Sequence, residues 1–104
     1  MSHHDYAGID VQTNDEGYLV DAGQWTPAVG EAIAAEIGVA LTAKHWEVIH
    51  FAREDFSATG KSPGLRRIAA NTAVGMKELY QLFPKGPGKL IARIAGIPKP
   101  KSCL

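Results

Sequence analysis

A single cysteine, Cys103, stands next to the C-terminal residue, behind the segment Ala95-Gly96-Ile97-Pro98-Lys99-Pro100-Lys101-Ser102. With no second thiol in the chain, no internal disulfide can form. A structural cysteine is normally buried in an element or paired; this one has no partner and stands where chains are usually mobile. A thiolate at the tip of a proline-stiffened arm suits sulfur transfer. It would take up sulfane sulfur as a persulfide and insert into the active site of a second protein. Lys99 and Lys101 favour the thiolate, and the terminal carboxylate opposes it. Cys103 is therefore the candidate catalytic residue, with Gly96, Pro98, Lys99, Pro100 and Lys101 as arm and docking residues. From Gly96 the arm reaches roughly 20 Å at about 3 Å per residue. The bland alternative is a frayed terminus with an idle thiol; the Pro-Lys-Pro spacing weighs against it. Prenylation is excluded, because it needs a cysteine fourth from the end.

Other constellations are weaker. His3 and His4 fall in a start expected to be disordered, His45 near an apolar helix stripe, and His50 on a polar face beside Glu54. No CxxC or HExxH spacing accompanies them, so no metal site is expected. Lys85-Gly86-Pro87-Gly88-Lys89 resembles a phosphate loop only faintly: Leu90 follows the lysine, and Pro87 removes a backbone N–H. Lys85 and Lys89 at a helix start, with Arg66, remain candidate contacts for an anion or a partner. Arg66, Arg67 and Asn71 in a helix-turn-helix-like stretch give an alternative reading as a DNA-binding or regulatory module. Glu54-Asp55 reads as a solvated pair. No nucleophile–base–acid set stands out, and no cofactor is implied.

The elements that must position these residues follow from local signals. Ile9 and Val11 alternate with polar neighbours, Asn14-Asp15-Glu16-Gly17 is a turn, and Tyr18-Leu19-Val20 returns as a second strand. Thr26 caps a helix with Pro27 at its first position, running through Ala28–Ile37 to Gly38. Thr42 opens a second helix, with Trp46, Ile49, Ala52 and Phe56 on one face and Gly60 at its end. Ser62-Pro63 opens a third. The apolar period then continues across Gly75, so residues 63–83 form either two helices or one bent helix. Pro84–Pro87 break the chain, Leu90, Ile91 and Ile94 form a last stripe, and Gly96 stops it. The expected fold is α+β and mostly helical: a small N-terminal antiparallel hairpin or meander on about five helices. Residues 1–96 form the domain and 97–104 a flexible C-terminal arm.

Composition agrees with one small globular domain. Hydrophobic residues make up 45% and charged residues 21% of the 104, which is not the balance of a disordered chain. No apolar run approaches the ~20 residues of a membrane span, and no signal peptide is visible at the start. The expected compartment is the reducing cytoplasm. Net charge is zero, yet residues 1–56 hold ten acids against Lys44 and Arg53, and residues 57–104 hold nine bases against Glu78. Either the basic half faces an anionic partner or the halves fold together and cancel.

Several segments together resemble the DsrC/TusE family, related to the gamma subunit of dissimilatory sulfite reductase. They are Asp15-Glu16-Gly17-Tyr18-Leu19, His45-Trp46-Glu47-Val48-Ile49, and Ser62-Pro63 with Arg66. The most specific are Leu82-Phe83-Pro84-Lys85-Gly86-Pro87 and Ile94-Ala95-Gly96-Ile97-Pro98-Lys99-Pro100 ending in Cys103. The resemblance implies a small sheet on a helix array, and sulfur-carrier work at Cys103. It implies a sulfur-donor complex like TusBCD or DsrEFH, and an acceptor such as a tRNA thiolase or sulfite reductase. In the sulfite-reductase branch a second arm cysteine lies eleven residues earlier; here that position is Ala92, expected to face away from the local core. A lone thiol excludes that branch's two-cysteine cycle and leaves a one-thiol relay of the TusE kind, toward 2-thiouridine in tRNA. The stretch between Arg67 and Tyr80 looks shorter than the family's usual loop, which leaves room for a divergent paralogue serving a different donor, or a regulator; a non-catalytic adaptor of a sulfur-metabolism complex, with Cys103 idle, is a further alternative.

Overall fold

A turn of two residues sets the N-terminal architecture. In the computed structural model, which describes residues 1–101, Ala7 and Gly8 both take positive φ, 56° and 82°. That is the pattern of a type I′ turn, whose twist matches paired strands. It joins β1 (Ser2–Tyr6) to β2 (Ile9–Thr13) as an antiparallel hairpin with Tyr6 opposite Ile9 and Ser2 opposite Thr13. The hairpin is thus real, but its first strand is the histidine-bearing segment expected to be disordered. The expected return strand, Tyr18–Val20, contributes one bridge, Thr13 to Leu19. Local pattern misses β1 because neither Ser2-His3-His4-Asp5 nor an Ala-Gly turn advertises a strand pair; pairing with the apolar β2 creates it.

After a single 3₁₀ turn at Ala22–Gln24, five helices follow: α1 (Pro27–Ile37), α2 (Ala43–Thr59), α3 (Leu65–Asn71), α4 (Met76–Leu82) and α5 (Pro87–Ala95). Thr26 Oγ1 accepts the Val29 N–H, and Gly38 and Gly60 close α1 and α2 in the left-handed conformation. Residues 63–83 are two helices. α3 starts at Leu65, two residues after Pro63, and the chain turns extended at Thr72 before Gly75 precedes α4.

His45 ties two elements together. Its Nδ1 accepts the Thr42 backbone N–H at 3.1 Å, and its Nε2 meets the Leu82 carbonyl at 2.8 Å. Since Nδ1 accepts, Nε2 carries the proton and donates to Leu82. The imidazole therefore completes the α2 cap and holds the end of α4. His50 stacks on Trp46 with ring centroids 5.6 Å apart.

α5 is wedged among α1, α2 and α4. Its residues Pro87, Gly88, Ile91, Ala92, Ile94 and Ala95 are all buried. Ala92 is 2% exposed, so the expectation that it lies outside the core is corrected. A stripe reading assumes one covered face; a helix packed on several sides buries its small-residue positions too.

The pair Glu54-Asp55 also departs from expectation. Asp55 is buried, and Arg67 grips it through Nη2 at 2.7 Å and Nε at 2.9 Å. The Arg67 hydrogen bonds hold the Asp55 carboxyl below its ordinary value, against the opposing effect of burial. Lys99–Glu16, at 3.0 Å, joins the acidic and basic halves in the same way, so the charge asymmetry is partly cancelled within the fold; Lys44–Glu78, also at 3.0 Å, links the halves through the minority charge of each.

Because the folded Asp55 binds its proton less readily than the unfolded one, its contribution is complete above the ordinary carboxylate value. It is lost as pH falls from about 4 through the lower folded value. Urea midpoints measured across that range should fall more steeply for the native chain than for Asp55→Asn. Parallel curves would show that the Arg67 clamp contributes nothing.

Candidate functional site

The arm leaves the body at the C-terminal end of α5, where a helix normally exposes unsatisfied carbonyls. Here all four are met. Ile97 N–H donates to Ala92 O at 3.1 Å and Gly96 N–H to Arg93 O at 3.2 Å, the Schellman arrangement. The Trp25 indole Nε1–H donates to Ile94 O at 2.7 Å. Arg53 Nη1 donates to Ala95 O at 2.8 Å, while its Nη2 reaches Ala22 O at 3.2 Å. The same guanidinium lies 4.2 Å from the Trp25 ring centroid, a cation–π contact that locks both side chains. Partial burial lowers the Arg53 pKa from a value high enough that it stays charged.

Gly96 is required twice over. Its φ is 68°, and a Cβ there would lie 2.5 Å from Trp25 Cδ1. Gly30 on α1 does the matching service from the other side, with its Cβ position 2.9 Å from Trp25 Cζ2.

Beyond Gly96, Ile97 returns to the core at 1% exposed. Pro98 and Lys99 are exposed and Pro100 is buried. The Pro98 carbonyl accepts from Ser62 Oγ at 2.5 Å. Pro98, Lys99 and Lys101 line one side of a cleft of about 300 Å³, with Phe56, Gly60, Lys61, Ser62 and Gly64 on the other. Among the described residues its lining carries three lysines and no acid. An adjoining hollow runs past Ser62 to Asp55 and Arg67. Cys103 lies outside the described residues.

The remaining candidates stay apart from this cleft. Lys85 and Lys89 are exposed at the start of α5, where Gly86 supplies no side-chain cap. Arg66 is exposed on α3. None of the three forms an ion pair among the described residues. Of the helix-turn-helix set, Arg67 is occupied by Asp55, and the Asn71 side chain folds back onto the Arg67 carbonyl at 2.8 Å. No group of histidines and carboxylates that could hold a metal occurs among the described residues.

Sequence pattern alone does not single out Trp25, Arg53, Ser62 and Glu16 as arm-holding residues. Arg53 carried a signal: it sits at i+4 from Ile49, inside an otherwise apolar stripe. The others act through contacts far along the chain, which periodicity does not reveal.

The model of the family described as DsrC like protein matches residues 5–104. The chain is 42% identical to a protein named Sulfurtransferase TusE of Salmonella paratyphi A, over 95% of this chain and 97% of that one. It is 37% identical to Sulfurtransferase TusE of Escherichia coli K12 over the same shares. Among solved structures, DsrC of Allochromatium vinosum superposes with a TM-score of 0.85 at 32% identity, covering 98% of this chain and 97% of that one. The oxidised gamma subunit of dissimilatory sulfite reductase from Archaeoglobus fulgidus gives 0.81 at 29% identity, over 99% and 100%.

Substituting Gly96→Ala forces a left-handed backbone on alanine and drives its Cβ into Trp25. The variant should lose about 2 kcal/mol or more, with a shift in tryptophan fluorescence, read by urea denaturation. Arg53→Ala should lose about 2 kcal/mol by stranding two carbonyls. Native stability in both would remove the claim that this corner anchors the arm.

Proposed function

The chain belongs to the DsrC-like family, and we propose that within it the protein is a one-thiol sulfur carrier working through Cys103. The observation that carries this reading is the penultimate cysteine behind Ile97-Pro98-Lys99-Pro100, in a chain alignable over nearly its full length with sulfurtransferases named TusE.

The chemistry needs no oxidant. The Cys103 thiolate attacks the outer sulfur of a donor persulfide. The S–S bond of the donor breaks, its thiolate departs with the electron pair, and Cys103 holds the new S–S bond. A second displacement passes the outer sulfur onward and returns the Cys103 thiolate. With one cysteine in the chain, no resolving thiol competes intramolecularly for the bound sulfur. Position 92 is a buried alanine in α5, which fits a carrier without the second arm cysteine. Lys101 and Lys61 surround the arm with positive charge that favours a thiolate and an acidic partner face. Lys99 shares its charge with Glu16.

The donor would be a complex of the TusBCD or DsrEFH kind, and the acceptor a tRNA thiolase, in the cytoplasm. No helix among the described residues is long and apolar enough to cross a membrane.

Incubation with a sulfane-sulfur donor, followed by intact-protein mass spectrometry, tests the reading. The native chain should gain about 32 Da, removable by a reductant, and Cys103→Ser should gain nothing while keeping its fold. An alkylatable Cys103 that never acquires sulfur would refute the carrier and favour an adaptor.

A further inference from the structure

The two hollows at the α2–α3 corner are one groove. Lys61, Ser62 and Gly64 line both, so the cleft of about 300 Å³ and its neighbour of about 400 Å³ run together from Pro98 to Arg67. Small residues at the corner keep it open: Gly60 ends α2 in the left-handed conformation, and a Cβ added there would meet no atom within 4 Å. Its surface is of two kinds. Phe56 packs against the hydrophobic core and lines the cleft together with the exposed Pro98. Around them stand Lys61, Lys99, Lys101 and Arg67. Arg67 is occupied by Asp55, the one acid among the described lining residues, and Lys99 is paired with Glu16. Lys61 and Lys101 form no ion pair among the described residues. The groove therefore keeps both of those charges uncompensated beside an apolar patch.

A cofactor needs more enclosure than a cleft at the lower end of ligand-pocket volumes gives. Nucleic acid binds along a track of cations with exposed aromatic faces for stacking; here the cations surround a hollow, and Phe56 is packed against the core. An extended peptide carrying an apolar side chain between carboxylates matches both surfaces at once. We propose that this groove docks an acidic peptide segment of a partner protein, with one apolar side chain on Phe56 and Pro98 and the flanking carboxylates on Lys61 and Lys101. The proposal deepens the carrier reading and rests on it for the partner's role. A partner held by such a segment keeps its own sulfur-handling site close to the body of the carrier, which raises the effective concentration of that site without any new contact to the thiol.

The probe is a library of short random-sequence peptides displayed on phage, selected against the full-length chain with its thiol reduced. Enriched peptides should carry an apolar residue flanked by Asp or Glu. Synthesised and titrated into the isotope-labelled chain, they should move backbone amide signals within residues 56–64 and leave those of Lys85 and Lys89 in place. Lys61→Glu, a change at an exposed position, should weaken their binding about tenfold, and Lys61→Arg, which keeps the charge, should not. Exchanging the peptide's carboxylates for amides should weaken binding as Lys61→Glu does. If Lys61→Glu loses its folded spectrum, Lys61→Gln replaces it, with a smaller loss expected. No enrichment, enrichment without acids, shifts confined to another face, or full affinity in the charge-removing variant overturns the proposal. Displacement of the peptide by a single-stranded oligonucleotide at comparable concentration overturns it in favour of nucleic acid. The thiol takes no part in the readout, so a failure of sulfur loading and a failure of docking are separate results.

Discussion

The geometry of this protein turns on how α5 ends. A buried helix cannot simply stop, because its last carbonyls lose water and need donors. Trp25 and Arg53 supply two of those donors from outside the helix, and the Gly96 turn supplies the others. Only then can Ile97 dive back into the core and the chain emerge at Pro98 in a fixed direction. Arg53 is the residue on which this corner most depends. It joins α2, the 3₁₀ turn and α5 through one guanidinium held over an indole. The two glycines that crowd Trp25, Gly30 and Gly96, are the space that this arrangement demands.

From that corner the arm inherits its surroundings. It runs between a turn bearing Glu16 and the α2–α3 corner bearing Ser62, along a cleft lined by Phe56 and by Lys61, Lys99 and Lys101. The acidic and basic halves of the sequence meet here and at Asp55–Arg67. Charge asymmetry along the chain therefore serves partly to clasp the fold, and partly leaves a positive rim beside the arm. On the function proposed above, such positive charge would steer acidic partner faces toward the arm before contact.

Local chemistry made much of this readable in the sequence. Thr26-Pro27, Gly38, Thr42, Gly60 and Gly96 each announce a helix end by a backbone requirement of their own, and each stands where expected. The mixed, mainly helical architecture followed. What was not readable depends on partners distant in sequence. β1 exists because β2 pairs with it across an Ala-Gly turn. Ala92 is buried because neighbours on several sides cover α5. Asp55 is clamped because α3 brings Arg67 to it. Ser62 and Glu16 look like an ordinary cap and an ordinary turn acid until the arm lies against them. Cys103 is proposed from its isolation and its prolines alone, and lies outside the described residues.

The central claim is that sulfur passes through Cys103 in the living cell. It is tested most directly by isolating the protein from its own cells under rapid thiol alkylation and weighing the C-terminal peptide. The account predicts a fraction of Cys103 trapped as an alkylated persulfide, diminished when the cells are starved of sulfur. Cys103 recovered wholly as the plain alkylated thiol, in cells actively metabolising sulfur, would contradict it.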